Sequence, residues 1–367
     1  MTGDSPLLVH VVGARPNFPK MGPVWRALRD YQVQQQIVHT GQHYDDEMSA
    51  AFFRDLDLPW PDVNLEIGSG SQTVQTASIM VALERSFVTT APDLVVVYGD
   101  VNSTLAASLV CAKLCLPVAH VEAGLRSGDN AMPEEVNRRV TDTLSDLLLA
   151  TSPDAVDNLL AEGADTDHIT LVGNPMIDSL LLALERVGFP ESRPQQRSSE
   201  PYAVVTLHRP ANVDTPEAAN ASVSMLRDLC NVIPVYLPLH PRGRRSLTAA
   251  GLRDVMNLRL LNPLPYLQFV QLVAGATVVV TDSGGIQEES TVLGVPCLTV
   301  RTTTERPITI THGTNRLVGM DKAAQLAAEV CSGHWVAPDA RPPLWDGHAG
   351  ERIAAALVDF VGGFGRE

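Results

Sequence analysis

A chain of 367 residues with 42 acidic against 27 basic side chains, net charge −15, excludes a general nucleic-acid binder, whose backbone contacts need a basic face. It does not exclude a small anionic ligand, because a few basic groups in a cleft outweigh a distant, diffuse charge. Hydrophobic content of 45% with 19% charged residues fits an α/β protein with a large core, and the length suits two domains of roughly 150–200 residues.

In chain order, "PLLVHVVGARPNFPKMGPVWRALRD" predicts a strand, a loop and an amphipathic helix. "QIVHTGQHYDDEM" repeats strand and polar loop, and "PDLVVVYGDVNSTLAASLVCAKL" gives strand, loop and helix again. "LPVAHVEAG" and "LLLATSPDAVDNLLAEG" continue the alternation. Strands this apolar need a sheet covered on both faces, and alternating β and α implies a parallel doubly wound sheet. Residues 186–202, "RVGFPESRPQQRSSEPY", lack periodicity and are rich in Pro, Ser, Arg and Gln, which predicts a linker between a first domain, 1–185, and a second, 203–345. In the second, "AVVTLHRPANV", "VIPVYLPLHPRG", "ATVVVTDSGG" and "VPCLTVRTTTERP" restart the same alternation. A helix in 346–367 is expected to pack back on the first domain. Two such Rossmann-like domains facing each other make a cleft lined by strand C-termini, where ligands of this architecture bind.

An odd number of cysteines, five, in mostly apolar contexts points to a reduced cytoplasm. Cys111 and Cys115, four apart, suit the packed face of a helix better than a metal or redox pair. No HExxH or CxxC spacing occurs, so no metal is expected. No apolar run reaches roughly 18 residues and no basic-plus-apolar leader opens the sequence, so neither membrane insertion nor export is expected.

The chemistry-bearing residues gather at strand ends. Arg15 and Lys20 flank the first loop; Asp100 ends "VVVYGD" and Glu122 lies in "VAHVEAG". Glu134 and Glu135 follow Pro133 at a helix start, where one of them serves equally well as a cap. His208 and Arg209 end "VVTLHR", and Arg306 follows a later strand. In "VVVTDSGGIQEES" the run of β-branched residues stops, Ser283, Gly284 and Gly285 turn the chain, and a helix opens. Strand, small-residue turn and helix start are the parts of an anion cradle. Basic groups and carboxylates together suit a diphosphate-bearing sugar with acids placed for proton transfer on the ring.

Seven ordered stretches carry a resemblance: "GARPNFPKMGPV", "TGQHYD", "VYGDVNSTLAASL", "HVEAGLRSGDNAMPEEVNRR", "VTLHRPANV", "TDSGGIQEES" and "TTTERP". Together they resemble the non-hydrolysing UDP-N-acetylglucosamine 2-epimerase family across nearly the whole chain. The resemblance implies the glycosyltransferase-B-type fold, a homodimer, no cofactor, and a UDP-sugar held mainly by the second domain. By motif, Ser283, Gly284 and Gly285 would hold the diphosphate with His208 nearby, and Glu289 the ribose. Leu264 and Phe269 would contact uracil; Arg15, Lys20 and Arg306 would be basic ligand contacts. Asp100, Glu122 and Glu134, assisted by His208, would carry the acid–base chemistry at C2. Gln42, Arg209 and His240 match a second, regulatory nucleotide site. There Asp45 replaces a glutamine and residues 69–73 lack the expected arginine, so allosteric activation is expected to be weak or absent. Two further departures are Asn17, where an acidic residue is usual, and "NAMPEE" in place of "YSPWPEE", which bears on the sugar's substituents. A hydrolysing epimerase, a glycosyltransferase of the same fold and a non-catalytic UDP-sugar binder remain as alternatives.

Overall fold

The computed structural model describes residues 5–41, 53–189, 200–239, 241–336, 338 and 341–364. Its contacts divide into two units, Met1–Ser179 with Pro343–Glu367, and Leu180–Pro342. In the first, strands β1 (Leu7–Val12), β2 (Gln34–His39), β3 (Val63–Asn64), β4 (Leu94–Tyr98), β5 (Val118–Ala123), β6 (Leu147–Ala150) and β7 (Ile169–Leu171) form one sheet. Their order is β3-β2-β1-β4-β5-β6-β7 and every pairing is parallel. Helices α1 (Phe18–Leu28), α2 (Gln72–Thr90), α3 (Asn102–Leu114), α4 (Pro133–Leu144), α5 (Pro153–Ala161) and α6 (Pro175–Arg186) make the connections. β4 is buried along its whole length, as a strand covered on both faces must be. One of those faces packs Val9, Val11, Val95 and Val97 against Ile79, Leu83 and Phe87 of α2.

The second unit repeats the plan. Strands β8 (Ala203–Thr206), β9 (Val235–Pro238), β10 (Leu258–Leu261), β11 (Val278–Thr281), β12 (Cys297–Thr299) and β13 (Asn315–Leu317) run parallel in the order β10-β9-β8-β11-β12-β13. Between them lie α7 (Pro210–Val213), α8 (Pro216–Cys230), α9 (Pro241–Ala249), α10 (Tyr266–Ala274), α11 (Gly284–Leu293) and α12 (Ile308–Thr311); α13 (Ala323–Cys331) follows β13. In both units the middle of the sheet is where the strand order reverses, β1 beside β4 and β8 beside β11. Ligands of doubly wound sheets bind outside the strand C-termini at that point.

The last helix, α14 (Ala349–Phe364), belongs to the first unit. Gly350 lies against α1 so closely that a Cβ would meet Pro23 at 2.7 Å. Asp178 caps the start of α14, accepting the N–H groups of Ala349 and Gly350 at 3.2 and 2.7 Å, while burial pushes its carboxyl up to about 6. These ties explain why the contact division falls inside α6, at Ser179, rather than in the composition break at 186–202. Ser179 itself donates to the Pro19 carbonyl at 2.6 Å, so the first half of α6 is fastened to the first unit. All five cysteines carry free thiols; Cys111 is buried in α3 and Cys115 is exposed at its end. Among the described residues no helix is long and apolar enough to cross a membrane, and no cluster of His, Cys, Asp or Glu could hold a metal ion.

Candidate active site

The first unit gathers charged groups at the ends of β1, β4 and β5. After β1, Asn17 fastens the loop: its Oδ1 accepts the N–H groups of Gly13 and Ala14, each at 3.0 Å, and its Nδ2 donates to the Tyr98 carbonyl at 2.8 Å. That loop carries Arg15, half-buried, and leads into α1 with buried Lys20. β4 then turns through Gly99, where a Cβ would lie 2.6 Å from Lys20 Nζ and 2.9 Å from Glu122 Oε2. Only glycine leaves room for the Lys20–Glu122 ion pair, both members of which are buried. Lys20, expected to touch ligand, pairs its ammonium with Glu122. Glu122 takes φ 75 in a bulge where the β5–β6 register shifts. A left-handed backbone at a residue with a Cβ costs of order 1–3 kcal/mol and persists where surroundings over-determine it; the bulge re-aims the side chain.

Asp100 follows Gly99. Its carboxylate pairs with Arg138, and its carbonyl accepts from Asn137 at 2.8 Å. Arg138 is buried between Asp100 and Glu135, reaching the latter at 2.7 Å. Glu135 also accepts from the N–H and hydroxyl of Ser127, each at 2.9 Å, and from the Gly128 N–H at 3.1 Å. Burial pushes the Glu135 carboxyl up, but Ser127 and Arg138 outweigh it and hold it below its ordinary value. Of the pair, Glu135 is the one fastened by Ser127, Gly128 and Arg138. Glu134 stands half-buried in the first turn of α4, with no hydrogen-bond or ion-pair partner among the described residues.

In the second unit the glycines are not a turn before the helix but its first two residues: α11 starts at Gly284, and the Ser283 side chain makes no capping bond. The first N–H groups are therefore left for an anion. A Cβ at Gly284 would stand 2.6 Å from an Arg306 nitrogen and 2.8 Å from Glu305, so the helix end and the arginines close on each other only through glycine. Glu305 is shared by Arg301 at 2.7 Å, by Arg306 in direct contact and by Arg209 at 3.7 Å, while Arg306 also pairs with Glu288 at 2.8 Å. Burial raises the Glu305 carboxyl, and the arginines more than reverse that, holding it far below the carboxylate range.

Asp282, wholly buried after β11, sets the loop that carries His208 and Arg209. It accepts their backbone N–H groups at 3.0 and 2.9 Å and Asn212 Nδ2 at 2.9 Å, and it lies 2.7 Å from His208 Nδ1. These donors, His208 foremost, overcome burial and keep its carboxyl low. Glu289, one turn into α11, accepts the Tyr266 hydroxyl at 2.9 Å. Among the described residues it has no cation: burial pushes it up to about 7, against the pull of Tyr266 and with the repulsion of Glu288. Beside these groups a cavity of about 170 Å³ is walled by Leu207, Pro238, Pro263, Leu264, Phe269 and Ile286, with His208 and Ser283 on its polar side.

Each unit thus collects its own candidates: Arg15, Lys20, Asp100, Glu122 and Glu134 in one; His208, Arg209, Leu264, Phe269, Ser283–Gly285, Glu289 and Arg306 in the other. Gln42, Asp45 and His240 lie outside the described residues. Sequence reasoning passed over Arg138, Asp282 and Glu305. A charged residue directly after an apolar strand run, as Asp282 is, was the available signal.

The parallel, doubly wound units are those of the glycosyltransferase-B-type fold; a lipopolysaccharide outer core galactosyltransferase, WaaB, shares it at TM-score 0.55 and 12% identity over 96% of this chain and 99% of that one. The chain belongs to the UDP-N-acetylglucosamine 2-epimerase family, whose model matches residues 26–358. It is 38% identical over 365 residues to the UDP-N-acetylglucosamine 2-epimerase of Methanocaldococcus jannaschii, 95% of this chain and 98% of that protein. The crystal structure of that epimerase in complex with UDP-GlcNAc and UDP matches at TM-score 0.87 and 37% identity, covering 96% and 99% of the two chains. Identity is 40% over 316 residues with the UDP-2,3-diacetamido-2,3-dideoxy-D-glucuronate 2-epimerase of Pseudomonas aeruginosa, 85% of this chain and 88% of that one.

Asn17 supplies both an acceptor and a donor, where an ionised carboxylate would supply acceptors alone. Asn17→Asp should lower stability by about 1–3 kcal/mol, the scale of a lost buried hydrogen bond. Urea unfolding measures it; an unchanged midpoint would show that the amide does not tie the loop to β4.

Proposed function

We propose that the protein is a UDP-N-acetylglucosamine 2-epimerase of the non-hydrolysing kind, an isomerase interconverting UDP-GlcNAc and UDP-ManNAc. The observation that carries this reading, in a chain of this family, is the pair of carboxylates Asp100 and Glu122, held by Arg138 and Lys20 on either side of Gly99. The second unit supplies nucleotide capture. The free N–H groups at Gly284 and Gly285, with the Ser283 hydroxyl and Arg306, take the diphosphate, and His208 stands beside it. Glu289 takes the ribose hydroxyls, and Leu264 and Phe269 line the slot for uracil. Arg15 adds a phosphate contact from the first unit.

The C2 proton of the intact sugar is not acidic, so the C1–O bond must weaken first. Its electron pair leaves with UDP, stabilised by N–H donors and guanidinium groups. Positive charge builds at C1, the C2–H proton passes to a carboxylate, and 2-acetamidoglucal forms. A proton then returns to C2 from the opposite face and the UDP oxygen rejoins C1. Inversion needs proton carriers on two faces, hence more than one acid among Asp100, Glu122 and Glu134. No electrons are exchanged with a cofactor, because the pair that leaves with UDP comes back with it.

The assembly proposed is a cytoplasmic homodimer. Free thiols suit a reducing compartment. Val74, Val81 and Val88, exposed at seven-residue spacing along one face of α2, are symmetric about Val81, so an antiparallel copy would set Val74 on Val88. A second substrate reading, a UDP-2-acetamido sugar modified elsewhere on the ring, is favoured by the shortened "NAMPEE" segment and by the diacetamido-glucuronate epimerase among the relatives.

Asp100→Asn should slow epimerisation at least about a hundredfold, the scale of general acid–base catalysis, with UDP affinity within about twofold of wild type. Wild-type turnover in that variant would remove Asp100 from the mechanism, and release of free N-acetylmannosamine by the wild type would move the protein to the hydrolysing branch.

Glu289 gives a second test. Ribose hydroxyls donate, so they need the carboxylate, and a group near 7 loses it as pH falls. UDP-GlcNAc affinity, measured in the slow Asp100→Asn protein, should therefore drop about tenfold from pH 8 to pH 6, with proton release on binding. Glu289→Gln should lose that part of the pH dependence, and Tyr266→Phe should shift it to higher pH. A profile identical in Glu289→Gln would show that Glu289 does not meet the ribose.

A further inference from the structure

The chemistry just proposed leaves unused a buried pair that touches both catalytic strand ends. His120 is wholly buried on β5. Its Nε2 lies 2.8 Å from the carbonyl oxygen of Gly99, and its Nδ1 lies 2.6 Å from Asp142 Oδ1. The other carboxylate oxygen of Asp142 accepts the N–H of Gly124 at 3.1 Å and lies 2.7 Å from Arg126. Gly99 directly precedes Asp100, and Gly124 lies two residues beyond Glu122.

We propose that His120 is a positioning residue for this turn, its two ring N–H groups bolting the Gly99–Asp100 peptide to Asp142 and, through Asp142, to the strand end bearing Glu122. The inference rests on the reading of Asp100 and Glu122 as the proton-transfer groups. A carbonyl oxygen and a carboxylate both accept, so satisfying both requires both ring nitrogens to donate, which only the protonated ring does. Asp142 is fit for that partner: burial raises its carboxyl, but His120 and Arg126 more than offset this and keep it ionised. The Gly99 carbonyl and the Asp100 N–H share one rigid peptide plane, so fixing that oxygen fixes the direction from which the Asp100 side chain departs. Asn137 holds the carbonyl on the far side of Asp100 at 2.8 Å, and Arg138 holds its carboxylate. The catalytic side chain is thus fixed at three points, and His120, itself on β5, ties one of them to the strand that bears Glu122.

The test compares His120→Leu and Asp142→Asn in the full-length enzyme. His120→Leu keeps bulk but leaves the Gly99 oxygen unmet; kcat should fall about a hundredfold, the scale of a small misplacement of a catalytic group, with KM within about threefold of wild type. UDP-binding stoichiometry should stay near wild type, because the nucleotide groups, Arg15 aside, belong to the other unit. Asp142→Asn leaves the ring able to donate through Nε2, so its loss should be about tenfold or less. Nitrogen-15 histidine NMR of the wild type should show both His120 ring nitrogens protonated, and one in Asp142→Asn. The proposal is overturned by a neutral His120 ring in the wild type, by His120→Leu turning over near the wild-type rate, or by a kcat loss matched by an equal loss of UDP-binding sites. Should His120→Leu fail to fold, the wild-type NMR signature and the Asp142→Asn rate decide. Asp100→Asn runs alongside: full turnover there sinks the catalytic reading itself, whereas a slow Asp100→Asn beside a fast His120→Leu sinks only the clamp.

Discussion

An ionised carboxylate taken out of water needs a cation or several donors, or it takes up a proton instead. The site residues of this protein are arranged around that requirement. Glu122 has Lys20, Asp100 and Glu135 share Arg138, Asp142 has His120 and Arg126, Asp282 has His208 with three further donors, and Glu305 has three arginines. Removing one member of a buried pair commonly costs about 3–5 kcal/mol, because the other is left uncompensated. Each of these carboxylates is therefore held in place by the groups that keep it charged.

The same requirement explains how so acidic a chain can hold a diphosphate. Charge is balanced locally: guanidinium groups of Arg209, Arg301 and Arg306 crowd the start of α11, whose own N–H groups remain unspent. The distant acidic surface is screened by salt over about 10 Å and matters little there. Among the described residues Glu289 has no cation, and burial with the repulsion of Glu288 raises its affinity for protons. Under the reading proposed above, the two ribose hydroxyls would add to the one donor that Tyr266 already supplies.

Much of this was legible in the sequence. Runs such as Leu94–Tyr98 and Val278–Thr281 gave parallel strands because β-branched residues buried on both faces leave no other choice, and functional residues at their C-terminal ends followed from the architecture. What escaped depended on three-dimensional partners. Nothing local to Pro133-Glu134-Glu135 says which glutamate meets Arg138; that is settled by which one faces Ser127. The start of α11 at Gly284 ran against glycine's weak helix propensity, overridden by the need to bring Arg306 and Glu305 close. Asn17 read as a loss of acidity, yet its amide makes two kinds of bond at once, which only the position of Tyr98 reveals. Backbone strain at Glu122 leaves no mark in residue type at all.

If paired carboxylates move hydrogen at C2 through a broken C1–O bond, solvent must label that carbon. The direct measurement is a proton NMR time course of UDP-GlcNAc with the enzyme in deuterium oxide. UDP-ManNAc carrying deuterium at C2, with deuterium washing into the UDP-GlcNAc pool as equilibrium is reached, is the expected result. A nucleotide sugar that binds yet keeps its protium at C2 would contradict the account.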